Sequence, residues 1–324
     1  MPDLQTIVKI PAPEFNISYS DNIALFGSCF SDNIGALLHR FKFNTTINPF
    51  GVLYNPASIA EAIKLLSEKE TFTDDDLHYH HQLWFSYSHH TSFSAKDKTS
   101  CLENINARFL KAKEQISEAN VIMLTLGTSW IYKLASTGRV VANCHKIPAR
   151  EFNREFLEPS ETAAVLAPVL RKLLTINPSV QFVFTVSPIR HWKDGAIENT
   201  RSKAALHLAI RQLQSQFSNA YYFPSYEIFM DELRDYRYYA ADMLHPSEFA
   251  VNYLWDRVKN TFFDTQTLQY YSRVEKLVKS FSHRPFNPDT DKHQQFRDKL
   301  FKESIQLEKQ LPGISFKAER NSFV

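Results

Sequence analysis

Glycine is scarce in this sequence, and the scarcity is informative. Seven of the 324 residues are glycine, whereas globular proteins average roughly 7% glycine. A chain that uses so little glycine is expected to keep it where the backbone needs a positive φ or a close approach. Gly27 and Gly127 each follow an apolar stretch, and Gly51 lies in a polar loop. We therefore expect the loops around these three glycines to carry the function.

Cysteine is equally sparse, and its spacing excludes two kinds of site. Cys29, Cys101 and Cys144 are far apart and form no Cys-x-x-Cys pair. This excludes a disulfide framework and a structural zinc site, and it suits a reducing cytoplasm. No other His, Cys and Asp spacing is typical of a metal site, so we expect neither a metal nor another cofactor.

Long apolar runs and a charge excess are also missing. No run approaches the ~20 residues of a membrane span, and the first residues lack the basic and apolar regions of a signal peptide. The net charge is +2, from 37 basic and 35 acidic residues, which does not indicate a nucleic-acid partner. We expect a cytoplasmic protein with no membrane or nucleic-acid partner, and the oligomeric state stays open.

Short apolar runs alternate with amphipathic segments along most of the chain. The runs, which are typical of buried parallel strands, cover 23–27, 121–127, 181–187 and 220–225. The amphipathic segments predict helices over 31–41, 55–69, 103–119, 161–176 and 199–217. This alternation predicts an α/β fold, a three-layer α/β/α sandwich of flavodoxin-like type with ligands at the carboxyl ends of the strands.

Two insertions and a tail interrupt this plan. Residues 78–93 and 129–145 alternate aromatic or apolar with polar residues, which predicts two β-ribbons near the active edge of the sheet. From 283 onward the chain is polar and highly charged, which is typical of a solvated helix or an interaction tail. We therefore predict one α/β domain over 1–282 and a C-terminal charged helical tail over 283–324.

Ser28 and Cys29 stand where the first predicted strand turns into a helix, for which Ser31 or Asp32 is the predicted N-cap. A serine or cysteine at such a turn is exposed at the edge of the sheet, and the N–H groups of the helix start face any anion formed there. The tripeptide that begins with Gly27 is equally typical of a plain helix entry with a small packed cysteine. We expect Cys29 to pack inward.

A second motif, Asp242-x-x-His245, follows the last predicted strand. On a helical turn this spacing places both side chains on one face, so the carboxylate can orient the imidazole through its Nδ1–H. The motif alone occurs by chance in chains of this size. Its position is what indicates function, since Ser28 follows the first strand and His245 follows the last.

Several longer motifs resemble the GSCFA family, named for Gly-Ser-Cys-Phe-Ala, of the SGNH (GDSL-like) hydrolase superfamily. The resemblance spans about residues 5–262, with Ser31 in place of the alanine. The motifs, in order, are FGSCFSDNIG, NPFGVLYNPASI, TLGTSWIY, ANCHKIPAREF, TVSPIRHWKDGAIENTRSKAAL and DMLHPSEFAVNYLWD. The resemblance implies that Ser28 is the nucleophile, His245 the general base and Asp242 its orienting acid. It also implies that the N–H groups of Ser28 and Gly51 form part of an oxyanion hole.

One superfamily element is absent. The third block of the superfamily is Gly-x-Asn-Asp, and its asparagine is an oxyanion donor, whereas this chain has Gly127-Thr128-Ser129-Trp130. Losing one such donor typically lowers kcat by ~10²–10³, so a working site needs a replacement. We rank Thr128 first, then Ser129, then Asn143, with Asn199 as a more remote candidate.

Further residues in these motifs are candidates for binding substrate. Arg190 is suited to a carboxylate or phosphate, and equally to a structural ion pair. The other candidates are Asn143, His145, His191 and His90, for which a structural role at the end of a ribbon is the alternative.

The function that these residues predict is a serine hydrolase or acyltransferase that acts on an ester through an acyl-serine intermediate. A carbohydrate O-acyl ester is the substrate suggested by superfamily analogy, with a small-molecule ester as the broader class. Two alternatives stay open: a thiol enzyme that depends on Cys29, and a non-catalytic carbohydrate-binding module that kept the fold.

Overall fold

Strands and helices alternate along most of the chain. The computed structural model describes residues 6–283 and 290–323. Within these ranges the strands are β1 Asn22–Gly27, β2 Asn44–Ile47, β3 His78–His80, β4 Leu83–Phe85, β5 Val121–Leu126, β6 Trp130–Leu134, β7 Val140–Val141, β8 Phe152–Phe156, β9 Gln181–Val186 and β10 Ala220–Tyr222. The α-helices of the same ranges are α1 Cys29–Arg40, α2 Pro56–Glu68, α3 Lys98–Ile116, α4 Pro159–Ile176, α5 Gly195–Gln216, α6 Ser225–Glu227, α7 Glu248–Phe262, α8 Thr265–Ser282, α9 Asp291–Gln310 and α10 Lys317–Ser322.

Five parallel strands form the central sheet, in the order β10-β9-β5-β1-β2. Counted along the chain this order is 5-4-3-1-2, the flavodoxin-like arrangement. The strand order reverses between β1 and β5, and ligands of such sheets bind in the crevice outside the carboxyl ends at that point. The predicted α/β fold with a parallel sheet is confirmed.

Helices cover both faces of the sheet because alternate side chains of each strand point to opposite faces. From β1, Ala24 and Phe26 enter a core shared with α2, α3, α4 and α5. Ile23 and Leu25 enter a second core shared with α1, α7, α8 and α9. The predicted three layers follow from these two cores.

Two strands escaped prediction because neither has an apolar run. The edge strand β2 has the sequence NTTI and is only half-buried. The strand β8, FNREF, pairs antiparallel with β6 through mostly exposed side chains. It converts the predicted ribbon over 129–145 into a three-stranded sheet in the order β7-β6-β8. The other predicted ribbon is shorter than 78–93, since pairing ends at Phe85.

The predicted tail is not simply a solvated helix. Leu300 and Leu307 of α9 are 3% and 0% exposed, and they pack into the second core. Residues 284–289 and 324 of the tail lie outside the described residues. The division at 282/283 stays a prediction. In the ranges 6–283 and 290–323, no helix combines the length and the apolar character that a membrane crossing needs.

Candidate active site

Ser28 lies at a sharp turn between β1 and α1. The preceding Gly27 has φ +138°, and a Cβ at this position would lie 2.2 Å from the carbonyl oxygen of Thr125 on β5, so the turn requires glycine. Ser28 is the N-cap of α1, and its Oγ accepts a hydrogen bond from the Phe30 N–H at 3.4 Å. The turn therefore holds the Ser28 hydroxyl at the carboxyl edge of the sheet and at a helix N-terminus.

The predicted N-caps of α1 were wrong. Ser31 and Asp32 lie inside the first turn of the helix, which already begins after Ser28. The buried Ser31 hydroxyl bonds to Thr125 Oγ1 at 2.8 Å and so joins α1 to β5. Asp32 accepts a hydrogen bond from Asn48 Nδ2 at 2.6 Å, which joins α1 to the loop after β2.

The loop after β2 crosses the carboxyl ends of β1 and β5. The Leu53 N–H donates to the Gly27 carbonyl at 2.9 Å. The Tyr54 carbonyl accepts from the N–H groups of Gly127 at 2.8 Å and Thr128 at 2.9 Å. These bonds fix the start of α2 beside the start of α1, at the point where the strand order reverses.

A cavity of about 470 Å³ opens at this edge of the sheet. Ser28 and Asn55, the N-caps of α1 and α2, both border it, so two positive helix ends converge on one space. Aromatic side chains of Trp130, Tyr132 and Trp192 form part of its wall. A cavity of this size accommodates a small-molecule ligand, since such sites measure roughly 300–1,000 Å³.

His245 borders this cavity and forms a hydrogen-bonded pair with Asp242. Asp242 Oδ2 lies 2.6 Å from His245 Nδ1. Asp242 Oδ1 accepts from the N–H groups of His245 and Leu244, each at 2.9 Å. These two backbone bonds, followed by the bond to the ring, lower the pKa of Asp242 to about 2, so the carboxylate is ionised at neutral pH. The pair lies in a turn ahead of α7 and not on the helical turn that the spacing predicted.

Ser28 and His245 border the same cavity although they lie near opposite ends of the α/β unit. Ser28 is 1% exposed, whereas the His245 side chain is 47% exposed. No hydrogen bond joins the two side chains, which are both among the described residues, and catalytic hydrogen bonds are often loose before substrate binds. The predicted nucleophile and base thus share one space, and their roles stay predictions.

Two predicted oxyanion donors are already engaged by the backbone. The Gly51 N–H donates to the Asn48 carbonyl at 2.7 Å, and Gly51 does not border the cavity. The Ser28 N–H donates to the Thr125 carbonyl at 3.2 Å. The Gly51 amide is therefore not available to a ligand, and the Ser28 amide is available only if its long bond opens.

The side-chain candidates for the missing donor divide into two groups. Thr128 and Asn143 border the cavity, although Thr128 Oγ1 already bonds to Ser202 Oγ at 3.1 Å. Ser129 is 0% exposed, and its hydroxyl donates to the Ser202 carbonyl at 3.0 Å. Asn199 is also buried and away from the lining. Only Thr128 and Asn143 are therefore positioned to contact a ligand in the cavity.

His145 and His90, predicted to bind substrate, do not border the cavity. His145 is buried, and its Nε2 lies 3.0 Å from the Ser86 carbonyl oxygen and 3.1 Å from that of His89. The His90 side chain packs against Gly51 and accepts a hydrogen bond from the backbone of its own short turn. Both histidines therefore hold the aromatic segment around β4 in place.

His191, Arg190 and Asn143 do border the cavity, and all three are half-buried. Its ring meets the Tyr54 ring edge-on at 5.3 Å. A Cβ on Gly127 would lie 3.1 Å from His191 Nε2, so the ring lies against the end of β5. Burial lowers the pKa of His191 to about 4, with a further contribution from cationic neighbours. The ring is therefore neutral at pH 7.

Lys203 is the residue near the site that sequence reasoning missed. It lies on α5, is 2% exposed, and its Nζ donates to the carbonyls of Gly127 at 2.6 Å and Ser187 at 2.7 Å. These carbonyls follow β5 and β9, so one side chain joins the two strand ends. Burial lowers the pKa of Lys203 to about 7, and the charge of Arg190 acts in the same direction. The helical spacing to Leu206, on the buried face of α5, is the signal that could have found it.

Cys29 was predicted to pack inward, and this prediction was wrong. The residue borders the cavity beside Ser28. Burial nonetheless raises the pKa of its thiol, although a hydrogen bond with Tyr54 acts in the opposite direction. The environment therefore does not favour a thiolate.

Metal-ligating side chains are not clustered around this site. Across residues 6–283 and 290–323, no three His, Cys, Asp or Glu side chains are arranged to hold a metal ion. Two cavity residues that carry such groups bond instead to protein partners, His245 to Asp242 and Asp194 to Arg154.

Two family profiles match this sequence. The sequence profile of the GSCFA family matches residues 22–258, and that of the C-terminal domain of GSCFA domain proteins matches 274–324. No curated protein matches the chain.

Solved structures match only distantly. A family 3 carbohydrate esterase of Clostridium thermocellum shares 11% identity, over 78% of this chain and 97% of that one, with a TM-score of 0.35. An acetyl xylan esterase of the rumen bacterium Butyrivibrio proteoclasticus shares 9% identity, over 75% of this chain and 65% of that one, with a TM-score of 0.37. Likeness this distant carries no information about the reaction or the substrate.

Proposed function

This chain belongs to the GSCFA family, and we propose that it is a serine esterase that cleaves an acyl ester through an intermediate on Ser28. The observation that carries the proposal is a single cavity bordered by Ser28 at a helix N-terminus and by His245. His245 is held by an ionised carboxylate 2.6 Å from its Nδ1. A nucleophile, a base and an orienting acid are the parts that acyl transfer requires.

The proton moves in two steps in this mechanism. His245 Nε2 removes the proton from Ser28 Oγ as the oxygen attacks the ester carbonyl, and it then delivers that proton to the leaving alkoxide. Asp242 accepts from Nδ1–H throughout, which fixes the tautomer and stabilises the imidazolium. In the second half His245 removes a proton from water as the water attacks the acyl-Ser28 carbonyl, and it returns that proton to Ser28 Oγ as the bond to Ser28 breaks and the carboxylic acid leaves. An acceptor alcohol in place of water makes the same chemistry an acyl transfer.

The oxyanion needs donors, and we infer that the His191 ring is one of them. Its pKa near 4 keeps the ring neutral at pH 7, so it retains one N–H for donation. Its Nε2 lies against Gly127, at the end of β5, where the superfamily resemblance places the missing asparagine. The positive N-terminus of α1 supplies further stabilisation. His191 thus replaces Thr128, our first sequence-based candidate, as the preferred side-chain donor.

A carbohydrate O-acyl ester is the substrate class that suits the wall of the cavity. The Trp192 side chain is 53% exposed and borders the cavity with Tyr132. Exposed aromatic faces bind the apolar faces of sugar rings through stacking and burial of C–H groups.

The test measures acetate release from mono-O-acetylated sugars by wild type, Ser28→Ala and Cys29→Ala. Ser215→Ala is the matched control, since Ser215 is exposed on α5 and its hydroxyl bonds only to its own helix. We expect Ser28→Ala to lower kcat by roughly 10³-fold or more, with Cys29→Ala and Ser215→Ala retaining turnover. An organophosphonate probe should label Ser28 in wild type.

Two outcomes contradict the proposal. Loss of turnover in Cys29→Ala, with Ser28→Ala still active, would identify a thiol enzyme. A folded wild type that binds sugars, releases no acetate and takes no label at Ser28 would identify a non-catalytic binding module.

A further inference from the structure

The cavity has an excess of positive charge. Three basic side chains border it, and Asp194 is the one carboxylate among its described lining residues. Asp194 lies 2.5 Å from Arg154 and neutralises it. Arg190 and Lys193 have no carboxylate partner among the described residues, and Lys193 Nζ instead donates to the Tyr132 hydroxyl at 2.9 Å. Two unneutralised cations therefore face one space in a chain whose total net charge is +2.

Arg190 is the more informative of the two cations. It has no hydrogen bond or ion pair with any described residue, although an arginine used for structure normally has one. Its charge acts on a buried neighbour, since it contributes to the lowered pKa of Lys203. A half-buried guanidinium with unused donors is a site prepared for an anion, because its fork matches the two oxygens of a carboxylate or phosphate.

The position of Arg190 sets where that anion lies relative to the ester. Arg190 follows β9, and Ser28 follows β1, with β5 between them. Parallel neighbours are about 4.8 Å apart, so the two strand ends are separated by roughly 10 Å. Arg190, Trp192 and Leu244 also border an adjoining cavity of about 560 Å³. The spacing of the strand ends therefore leaves room for roughly one sugar ring between an anion at Arg190 and an ester at Ser28.

We propose that the substrate is an ester whose sugar carries a carboxylate or a phosphate, which Arg190 binds through paired hydrogen bonds. Lys193 adds a second positive charge to the same cavity. Trp192 lies between Arg190 and Lys193 in the sequence and borders the cavity with them. The inference rests on the proposed esterase function, since it names the substrate of that site.

The test compares kcat/KM for three substrates: mono-O-acetyl glucose, mono-O-acetyl glucuronic acid and mono-O-acetyl glucose 6-phosphate. In wild type we expect at least one acidic ester to exceed the neutral ester by about 10- to 100-fold, the value of a charged hydrogen bond. The preferred acid identifies the carboxylate or the phosphate as the group bound. Arg190→Met should bring this ratio close to one, and Arg190→Lys should retain part of it. Arg211→Met, on the exposed surface of α5, is the matched control and should leave the ratio unchanged.

A binding measurement separates this inference from the esterase proposal. Calorimetry on Ser28→Ala, with and without Arg190→Met, gives the Kd of glucuronate and of glucose 6-phosphate without turnover. Arg190-dependent binding with no acetate release by wild type would support the anion site and refute the esterase. Equal kcat/KM for neutral and acidic esters in wild type, or a preference that Arg190→Met leaves intact, would overturn the anion site and leave the esterase standing.

Discussion

Lys203→Met tests the electrostatics beneath the site through the pH dependence of stability. The Lys203 ammonium is enclosed between the ends of β5 and β9 without a carboxylate, and its pKa falls from 10.5 to about 7 on folding. Between these two values the unfolded chain binds one more proton than the folded chain. The free energy of unfolding of wild type therefore rises with pH in this window, relative to a variant without the amine.

The size of the effect follows from these two pKa values. Each pH unit within the window contributes up to about 1.4 kcal/mol. From pH 7.5 to pH 9.5, wild type should gain about 2.5 kcal/mol over Lys203→Met. Methionine also leaves the Gly127 and Ser187 carbonyls without a donor, but this loss shifts the difference by a similar amount at every pH. The slope against pH is therefore the quantity that reports the buried amine.

The measurement is urea unfolding followed by circular dichroism at pH 7.5, 8.5 and 9.5 for both proteins. Lys111→Met, at an exposed position of α3, controls for the loss of one positive charge elsewhere. If the difference between wild type and Lys203→Met stays constant across this range, the amine does not change its protonation on folding and the reasoning is refuted.

Two further predictions concern the loops around the cavity. His191→Ala should lower kcat by about 10²-fold with little change in KM, since an oxyanion donor acts mainly in the transition state. His191→Gln should recover part of the loss, and an unchanged kcat in His191→Ala would exclude the ring as donor. Gly27→Ala should lower the free energy of unfolding by about 3 kcal/mol or more, because positive φ and the contact with Thr125 oppose a Cβ. Urea unfolding measures this against Gly138→Ala, where φ is +70° but no atom lies within 4 Å, and equal losses in the two variants would show that the contact is unimportant.

The central strands were predictable because each is buried on both faces. β1, β5 and β9 are continuous apolar runs, which is the signature of parallel strands covered by helices. The strands β2 and β8 have a polar composition and lie at sheet edges. Their pairing comes from neighbours distant in sequence, so no local pattern indicates them.

Part of the candidate site was predictable from the order of strands and helices along the chain. Ser28 and His245 follow the first and last strands of an alternating pattern, and parallel strands bring such ends to one edge. The local spacing of Asp242 and His245 also predicted that their side chains contact each other. Prediction failed for His145 and His90, since the partners that hold these side chains away from the cavity are set by tertiary packing.

By itself the sequence determined the alternation of strands and helices, and hence which strand ends meet. It also indicated the glycine turn that presents Ser28, because a chain with so little glycine is expected to keep it where the backbone needs a positive φ. Only the tertiary structure decided which polar groups stay free for a ligand. The Ser129 hydroxyl bonds to the Ser202 carbonyl, Lys203 is buried against two carbonyls, and Arg190 has no carboxylate partner among the described residues. A polar group that is free for a ligand differs from one that is already bonded only in its neighbours in the folded chain. Contacts between residues far apart in the sequence cannot be predicted from local spacing.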